Sequence, residues 1–177
     1  CDGDCDDDAA DLIPVDEDED GYTSCQGDCD DADAYTYPGA AVNESWGLCT
    51  TDSDLDGYGS SSPAAGVDAG SDCDDTSDRT YPGAAWRDSY EACLTDADWD
   101  GYGSDTPAAG VEVGTDCDDA DEFAYVGAAE MEAEGACMSD ADDDGYGSDT
   151  PGGNAEAGLD CDDTDDGLYP LDYDSDG

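Results

Sequence analysis

Five times along this chain, three aspartates stand at alternate positions and run into a glycine. The triads are Asp16, Asp18 and Asp20; Asp52, Asp54 and Asp56; Asp96, Asp98 and Asp100; Asp140, Asp142 and Asp144; and Asp172, Asp174 and Asp176. Carboxylates set this close together repel one another, so a compact arrangement needs something positive among them. The chain cannot supply it, because Asp and Glu number 53 against two basic residues, Arg79 and Arg87, for a net charge of -51. Nor can a hydrophobic core override the repulsion. Leu, Ile, Val and Phe together make up only 15 of 177 residues, well under the ~20% below which a highly charged chain stays disordered. Ordering the backbone costs about 1–2 kcal/mol per residue, and cohesion has to come from another source.

The triads recur with a fixed period. Cys49, Cys93 and Cys137 are 44 apart, and so are Tyr58, Tyr102 and Tyr146; Pro63, Pro107 and Pro151; Gly70, Gly114 and Gly158; Cys73, Cys117 and Cys161; and Tyr81, Tyr125 and Tyr169. Each copy reads Cys, aspartate loop, Gly-Tyr-Gly, a Ser/Thr-Pro turn with a small-residue spacer, Asp-Cys-Asp-Asp, then Tyr-Pro-Gly-Ala, with Val126 in place of Pro once and Leu171-Asp172 in place of Gly-Ala in the last copy. This divides the chain into a partial repeat (1–15), a short repeat without the spacer (16–48), three full repeats (49–92, 93–136 and 137–171), and the start of a further loop (172–177). Residues 4–21 also resemble residues 160–177, class by class, which points to a window cut from a longer periodic polymer. The expected fold is irregular, with little regular secondary structure: a linear array of calcium- and disulfide-stabilised repeats with short strands and single helical turns. Asp118 to Tyr125 is the best stretch for such a helical turn, and Tyr-Pro-Gly reads as a turn with glycine at a positive φ.

Alternate carboxylates followed by glycine are how a short loop wraps a hard cation, which takes six to eight oxygens at about 2.3–2.6 Å. The seventh-position residues Tyr22, Tyr58, Tyr102 and Tyr146 are expected to add a backbone carbonyl. The twelfth position, where an EF-hand carries its bidentate Glu, holds Gly27, Pro63, Pro107 and Pro151, so these are not EF-hands. The missing ligands should come from the downstream clusters: Asp28, Asp30, Asp31 and Asp33; Asp72, Asp74, Asp75 and Asp78; Asp116, Asp118, Asp119 and Asp121; and Asp160, Asp162, Asp163 and Asp165. These are expected to complete the first ion and hold a second, roughly two per repeat, with Asp4, Asp6 and Asp7 as the N-terminal half-site. A solvated acidic tract would have no need of such register. Calcium is favoured because the donors are flexible carboxylates, and because the absence of histidine argues against zinc and copper.

Ten cysteines, an even number with no C-x-x-C, read as disulfides in an extracellular or cell-surface setting. Two pairings are self-consistent. Pairs within repeats are favoured: Cys1–Cys5, Cys25–Cys29, Cys49–Cys73, Cys93–Cys117 and Cys137–Cys161. The rival joins cysteines 20 apart, Cys5–Cys25, Cys29–Cys49, Cys73–Cys93 and Cys117–Cys137, and leaves Cys1 and Cys161 over. No apolar run reaches the ~20 residues of a membrane span, and a nucleic-acid partner is disfavoured by the lack of Lys and Arg.

The sequence D-x-D-x-D-G-Y-G, then G-x-D-C-D-D-x-D, then Y-P-G-A resembles the aspartate-rich metal-binding-motif repeats of bacterial secreted proteins, the MopE-type group, over nearly the whole chain. Ser77, Ala9 and Val126 depart from the pattern. The resemblance implies secretion and metal binding; the design is also similar to the calcium repeats of thrombospondin type 3. Asn43-Glu44-Ser45 is a glycosylation sequon, Ser62-Pro63, Thr106-Pro107 and Thr150-Pro151 are candidates for O-linked sugars, and Trp46, Trp86 and Trp99 are expected in small apolar clusters. With no histidine, no lysine and no singular site, an enzyme is not expected. The reading that follows is a calcium-binding structural protein, a filament segment that self-associates head to tail, with a calcium buffer, a mineral nucleator or an adhesin spacer as alternatives.

Overall fold

A computed structural model describes Cys5, residues 14–133 and residues 135–168. The half-sites Asp4, Asp6 and Asp7 and Asp172, Asp174 and Asp176 therefore lie outside the described residues, as does Cys1. The chain divides into two compact units, residues 1–82 and 83–177, which cuts through the repeat assigned to 49–92.

Regular structure is as sparse as the composition demands. Unit one contains a single 3-10 turn, Ser24–Gln26, and strands β1 (Thr36–Pro38), β2 (Cys49–Thr51) and β3 (Thr80–Pro82); unit two contains β4 (Cys93–Thr95), β5 (Ala124–Val126) and β6 (Cys137–Ser139). In unit one, β1 and β2 pair antiparallel with Thr36 opposite Thr51 and Pro38 opposite Cys49. In unit two, β5 and β6 repeat that register, with Ala124 opposite Ser139 and Val126 opposite Cys137. Gly39 and Gly127 leave these strands at φ of 86° and 90°, the left-handed region that glycine enters without steric cost. Val126 keeps the register that Pro38 has, so its departure from the motif does not disturb the turn. The helical turn expected over Asp118 to Tyr125 is instead two successive i→i+3 turns, Asp121 N–H to Asp118 carbonyl and Ala124 N–H to Asp121 carbonyl, each at 2.8 Å, which run straight into β5.

The hydrophobic interior consists of small pieces. Ala40 and Ala41 in unit one and Ala85, Leu94, Ala124, Ala129 and Met138 in unit two are buried, beside fully buried threonines such as Thr36 and Thr50. The tryptophans keep much of their surface in solvent: Trp46, Trp86 and Trp99 are 86%, 47% and 56% exposed. Tyrosines pair, Tyr22 on Tyr37, Tyr58 on Tyr81, and Tyr102 on Tyr125, with ring centroids 5.3, 5.3 and 4.4 Å apart.

The disulfides correct the favoured pairing. Cys5 bonds Cys25, Cys29 bonds Cys49 and Cys117 bonds Cys137, so none of Cys25–Cys29, Cys49–Cys73, Cys93–Cys117 or Cys137–Cys161 forms. Nor does Cys1–Cys5, since Cys5 is taken. Cys73 and Cys93 are disulfide-bonded as well, and Cys161 is a free, exposed thiol. The hairpins supply the reason. Antiparallel pairing of β1 with β2 sets Cys49 opposite Pro38, and the Cys29 backbone N–H lies 3.1 Å from the Cys49 sulfur. The bonds therefore cross the boundaries at 48/49 and 136/137 that the sequence period drew. A loop of this length is worth about 3 kcal/mol by chain-entropy arguments.

Candidate metal centre

Each aspartate loop is built by its own carboxylates. In the second loop, Asp52 accepts the Leu55 N–H at 2.8 Å on Oδ1 and the Gly57 N–H at 3.1 Å on Oδ2, which curls the backbone around it. Asp96 and Asp140 make the same pair of bonds to Trp99 and Gly101 and to Asp143 and Gly145, and Asp16 does so with Glu19 and Gly21. The fourth residue of each of the four described loops is left-handed, at φ of 68° for Glu19 and Leu55, 74° for Trp99 and 62° for Asp143. The second and third aspartates then accept, on Oδ1, the N–H two residues on: Asp56 to Asp54 at 3.2 Å and Tyr58 to Asp56 at 2.8 Å. Asp72, downstream, accepts the Asp74 N–H the same way at 2.9 Å.

Every one of these Asx turns leaves Oδ2 over. The Oδ2 atoms of Asp54, Asp56 and Asp72 are buried and have no hydrogen-bond partner, and so are those of Asp18, Asp20 and Asp28; Asp98, Asp100 and Asp116; and Asp142, Asp144 and Asp160. The same three positions are orphaned in all four loops. Asp72, Asp116 and Asp160 are at most 1% exposed. Carboxylate oxygens of Asp54, Asp56 and Asp72 lie within 4.8 Å of one another, and so do those of Asp52, Asp54 and Asp75; the first loop groups Asp16, Asp18 and Asp20, and Asp18, Asp28 and Asp31. The group around Asp54 and the group around Asp18 are both described within unit one. In unit two, Asp116 feels Asp100, Asp98 and Asp119, and Asp163 feels Asp142 and Asp160.

The remaining expected ligands divide. Asp31, Asp75, Asp119 and Asp163 face the loops, each accepting the backbone N–H of the loop's second residue, at 3.1, 2.8, 2.6 and 2.8 Å. Asp30, Asp74, Asp118 and Asp162 begin the turns that follow, through carbonyls that accept from Asp33, Ser77, Asp121 and Asp165, and the Asp74 and Asp162 side chains bond Thr76 and Thr164. Asp33 and Asp121 cap the entry to β1 and β5, bonding Thr36 and Ser139 hydroxyls; Ser77 takes that place by bonding Thr80, and Asp165 accepts the Gly167 N–H. Asp78 is exposed beside Arg79, 3.5 Å away. Tyr22, Tyr58, Tyr102 and Tyr146 donate their N–H to the third aspartate.

Glu44, Asp88 and Glu132 hold the loops from outside and belong to none of the aspartate motifs. Glu44 Oε1 accepts the Ser71 N–H and hydroxyl at 2.7 and 2.6 Å. Asp88 accepts from Gly103 and Thr115, and Glu132 from Gly147 and Leu159. The preceding residues complete the brace, because Asn43, Arg87 and Met131 donate to the carbonyls of Gly57, Gly101 and Gly145. The signal was present in the sequence, since these acids are 44 residues apart.

Electrostatics follow from this crowding. Burial first, and neighbouring aspartates second, push Asp56, Asp72 and Asp100 up to about 7 and Asp116 to about 8. Asp119 is raised to about 6, and Asp20, Asp28, Asp52, Asp54, Asp98, Asp140, Asp142 and Asp163 are raised by the same principal cause. Asp56, Asp72, Asp100 and Asp116 therefore hold protons near neutrality unless a cation takes the proton's place. The donors are all hard oxygens, fixed by backbone hydrogen bonds on one side and open on the other, which suits a divalent hard ion. No protein-family model, curated protein or solved structure matches this chain.

Proposed function

We propose that this chain is an extracellular calcium-binding structural repeat protein, a segment of a surface filament. The observation that carries the reading is the recurrence, in four loops, of the same three buried and partnerless carboxylate oxygens. A buried unpaired carboxylate is costly, and a design that repeats the cost four times is understandable if an ion repays it in each. One ion is assigned to each described loop, held by Asp18, Asp20 and Asp28; Asp54, Asp56 and Asp72; Asp98, Asp100 and Asp116; and Asp142, Asp144 and Asp160. Asp31, Asp75, Asp119 and Asp163 and the carbonyls of Tyr22, Tyr58, Tyr102 and Tyr146 are the further ligands. A measured stoichiometry of two per repeat would put the second ion on the adjoining group, Asp52, Asp54 and Asp75 in the second loop. When bound, calcium neutralises charge that otherwise opposes folding, so binding and folding are linked. The test is terbium titration into the chain, with calcium as competitor: saturable, tyrosine-sensitised emission is expected, and circular dichroism and hydrodynamic radius unchanged by EGTA would overturn the reading.

The filament part is supported by hairpins and disulfides that straddle repeat boundaries, β1–β2 with Cys29–Cys49 at 48/49 and β5–β6 with Cys117–Cys137 at 136/137, so that the repeats on either side of these boundaries are tied together. Disulfides fit an oxidising compartment, and no helix among the described residues is long and apolar enough to cross a membrane. The motif likeness to MopE-type repeats, head-to-tail self-association and sugar on Asn43 belong to the same proposal. Electron microscopy in calcium and in chelator tests it; isolated short particles in both would refute the filament.

A further inference from the structure

Unit two carries a cleft of about 390 Å³ that the ion sites do not explain. Its mouth is aromatic: Trp86, Trp99 and Phe123 line it and are 47%, 56% and 40% exposed. The period makes this unusual. One repeat earlier, the same positions hold Val42, Leu55 and Arg79, and one repeat later Glu130, Asp143 and Gly167. Architecture is what the repeats share, and an aromatic ring at all three of these positions occurs in this register alone. Exposed aromatic rings brought together at one cleft, which the repeats do not need for folding, are a candidate binding surface.

The charge of the lining selects the ligand. Asp100, Glu122, Asp140 and Asp143 face the cleft with a single cation, Arg87. If ions claim Asp100 and Asp140, Glu122 and Asp143 still outnumber Arg87 by one. An anion is excluded, and an inorganic cation would gain nothing from the rings. The chain itself shows that a guanidinium settles here, since Arg87 lies 5.1 Å from the Trp86 ring centroid and 5.3 Å from that of Tyr102. Aromatic faces flanked by carboxylates are the arrangement that holds alkylammonium groups. We infer that this cleft binds an organic monocation of the alkylammonium class, against Trp86, Trp99 and Phe123 and opposite Glu122 and Asp143.

The test uses the full chain in calcium and 150 mM NaCl, with choline as probe and saturation-transfer NMR on its N-methyl protons. Saturable binding is expected, with the neutral isostere 3,3-dimethylbutan-1-ol about tenfold weaker. The variant Trp86→Val, which takes the residue of the preceding repeat, should lose about tenfold. The variant Glu122→Gln keeps the rings and should also weaken choline while leaving the alcohol unchanged. Calcium uptake, measured on the same samples, should not change in either variant, which separates loss of the cleft from loss of the ion sites. No saturable choline binding, equal binding of the neutral alcohol, or tighter binding of methyl β-glucoside would overturn the inference.

Discussion

The first and second aspartate loops, both in unit one, use the same carboxylate positions under different cover. From Gly21 the chain reaches Asp28 directly, through the 3-10 turn Ser24–Gln26. From Gly57 it takes the spacer, which returns as a lid: the Asp72 N–H bonds the Gly59 carbonyl at 2.8 Å and the Gly70 N–H bonds Ser60 at 2.9 Å. Asp52 and Asp72 are then 3% and 1% exposed, while Asp16 is only half-buried and Asp28 is 6% exposed. Asp20 and Asp28 are raised, but Asp56 and Asp72 reach about 7. Local motif therefore decides which oxygens point inward, and the lid decides how little water they see.

Removing the ions should break the comparison most severely. On chelation the lidded loop, with the more buried charge, should lose amide protection over residues 52–75 by more than the open loop loses over 16–31, as hydrogen exchange can measure. Protection falling equally in both would mean that the lid does not matter. Next in size, Asp72→Asn should weaken terbium binding at its loop on the order of 100-fold, and Asp28→Asn less, because a ligand in a drier site is harder to replace by water.

Gly70→Ala attacks the lid itself. A Cβ there would sit 2.1 Å from the Gly59 carbonyl oxygen, an overpacking that costs about 1–3 kcal/mol, and thermal unfolding of the calcium-loaded chain should register it. The variant's second loop should then approach the first in affinity. The smallest effect is that of pH. A carboxylate raised on folding binds its proton better in the folded chain, so its contribution to ion-free stability is best at low pH and declines as pH rises from about 4 to about 7. Calcium-loaded chain should do the opposite, because protons compete with the ion. Denaturation of both forms between pH 5 and pH 8 checks the opposed slopes, and the lidded loop should release calcium at higher pH than the open one.

Much of the site was legible because its order is local. Asp54 and Asp56 take their bonds from residues two positions on, and Asp52 from residues three and five positions on, so spacing alone aligned them. The downstream donors Asp72 and Asp75 were legible from recurrence. Asp74 and Asp78 were not separable from them, since which way a turn faces depends on where it lands. The cysteines misled for a related reason: sequence order placed Cys49 and Cys73 in one repeat, while the β1–β2 hairpin turned Cys49 back to Cys29. Glu44 recurs as visibly as any cysteine, but its role appears only once the hairpin connection lies against Ser71.

By itself, then, the sequence determined that the chain could not fold on apolar burial and that its carboxylates come in repeating half-sites, because charge, composition and short-range spacing need no tertiary information. Tertiary structure alone decided how half-sites join, which cysteines bond and which oxygens stay partnerless. Those depend on residues 14 to 27 positions apart meeting across hairpins and lids, where the period says only that each meeting, once made, is made again.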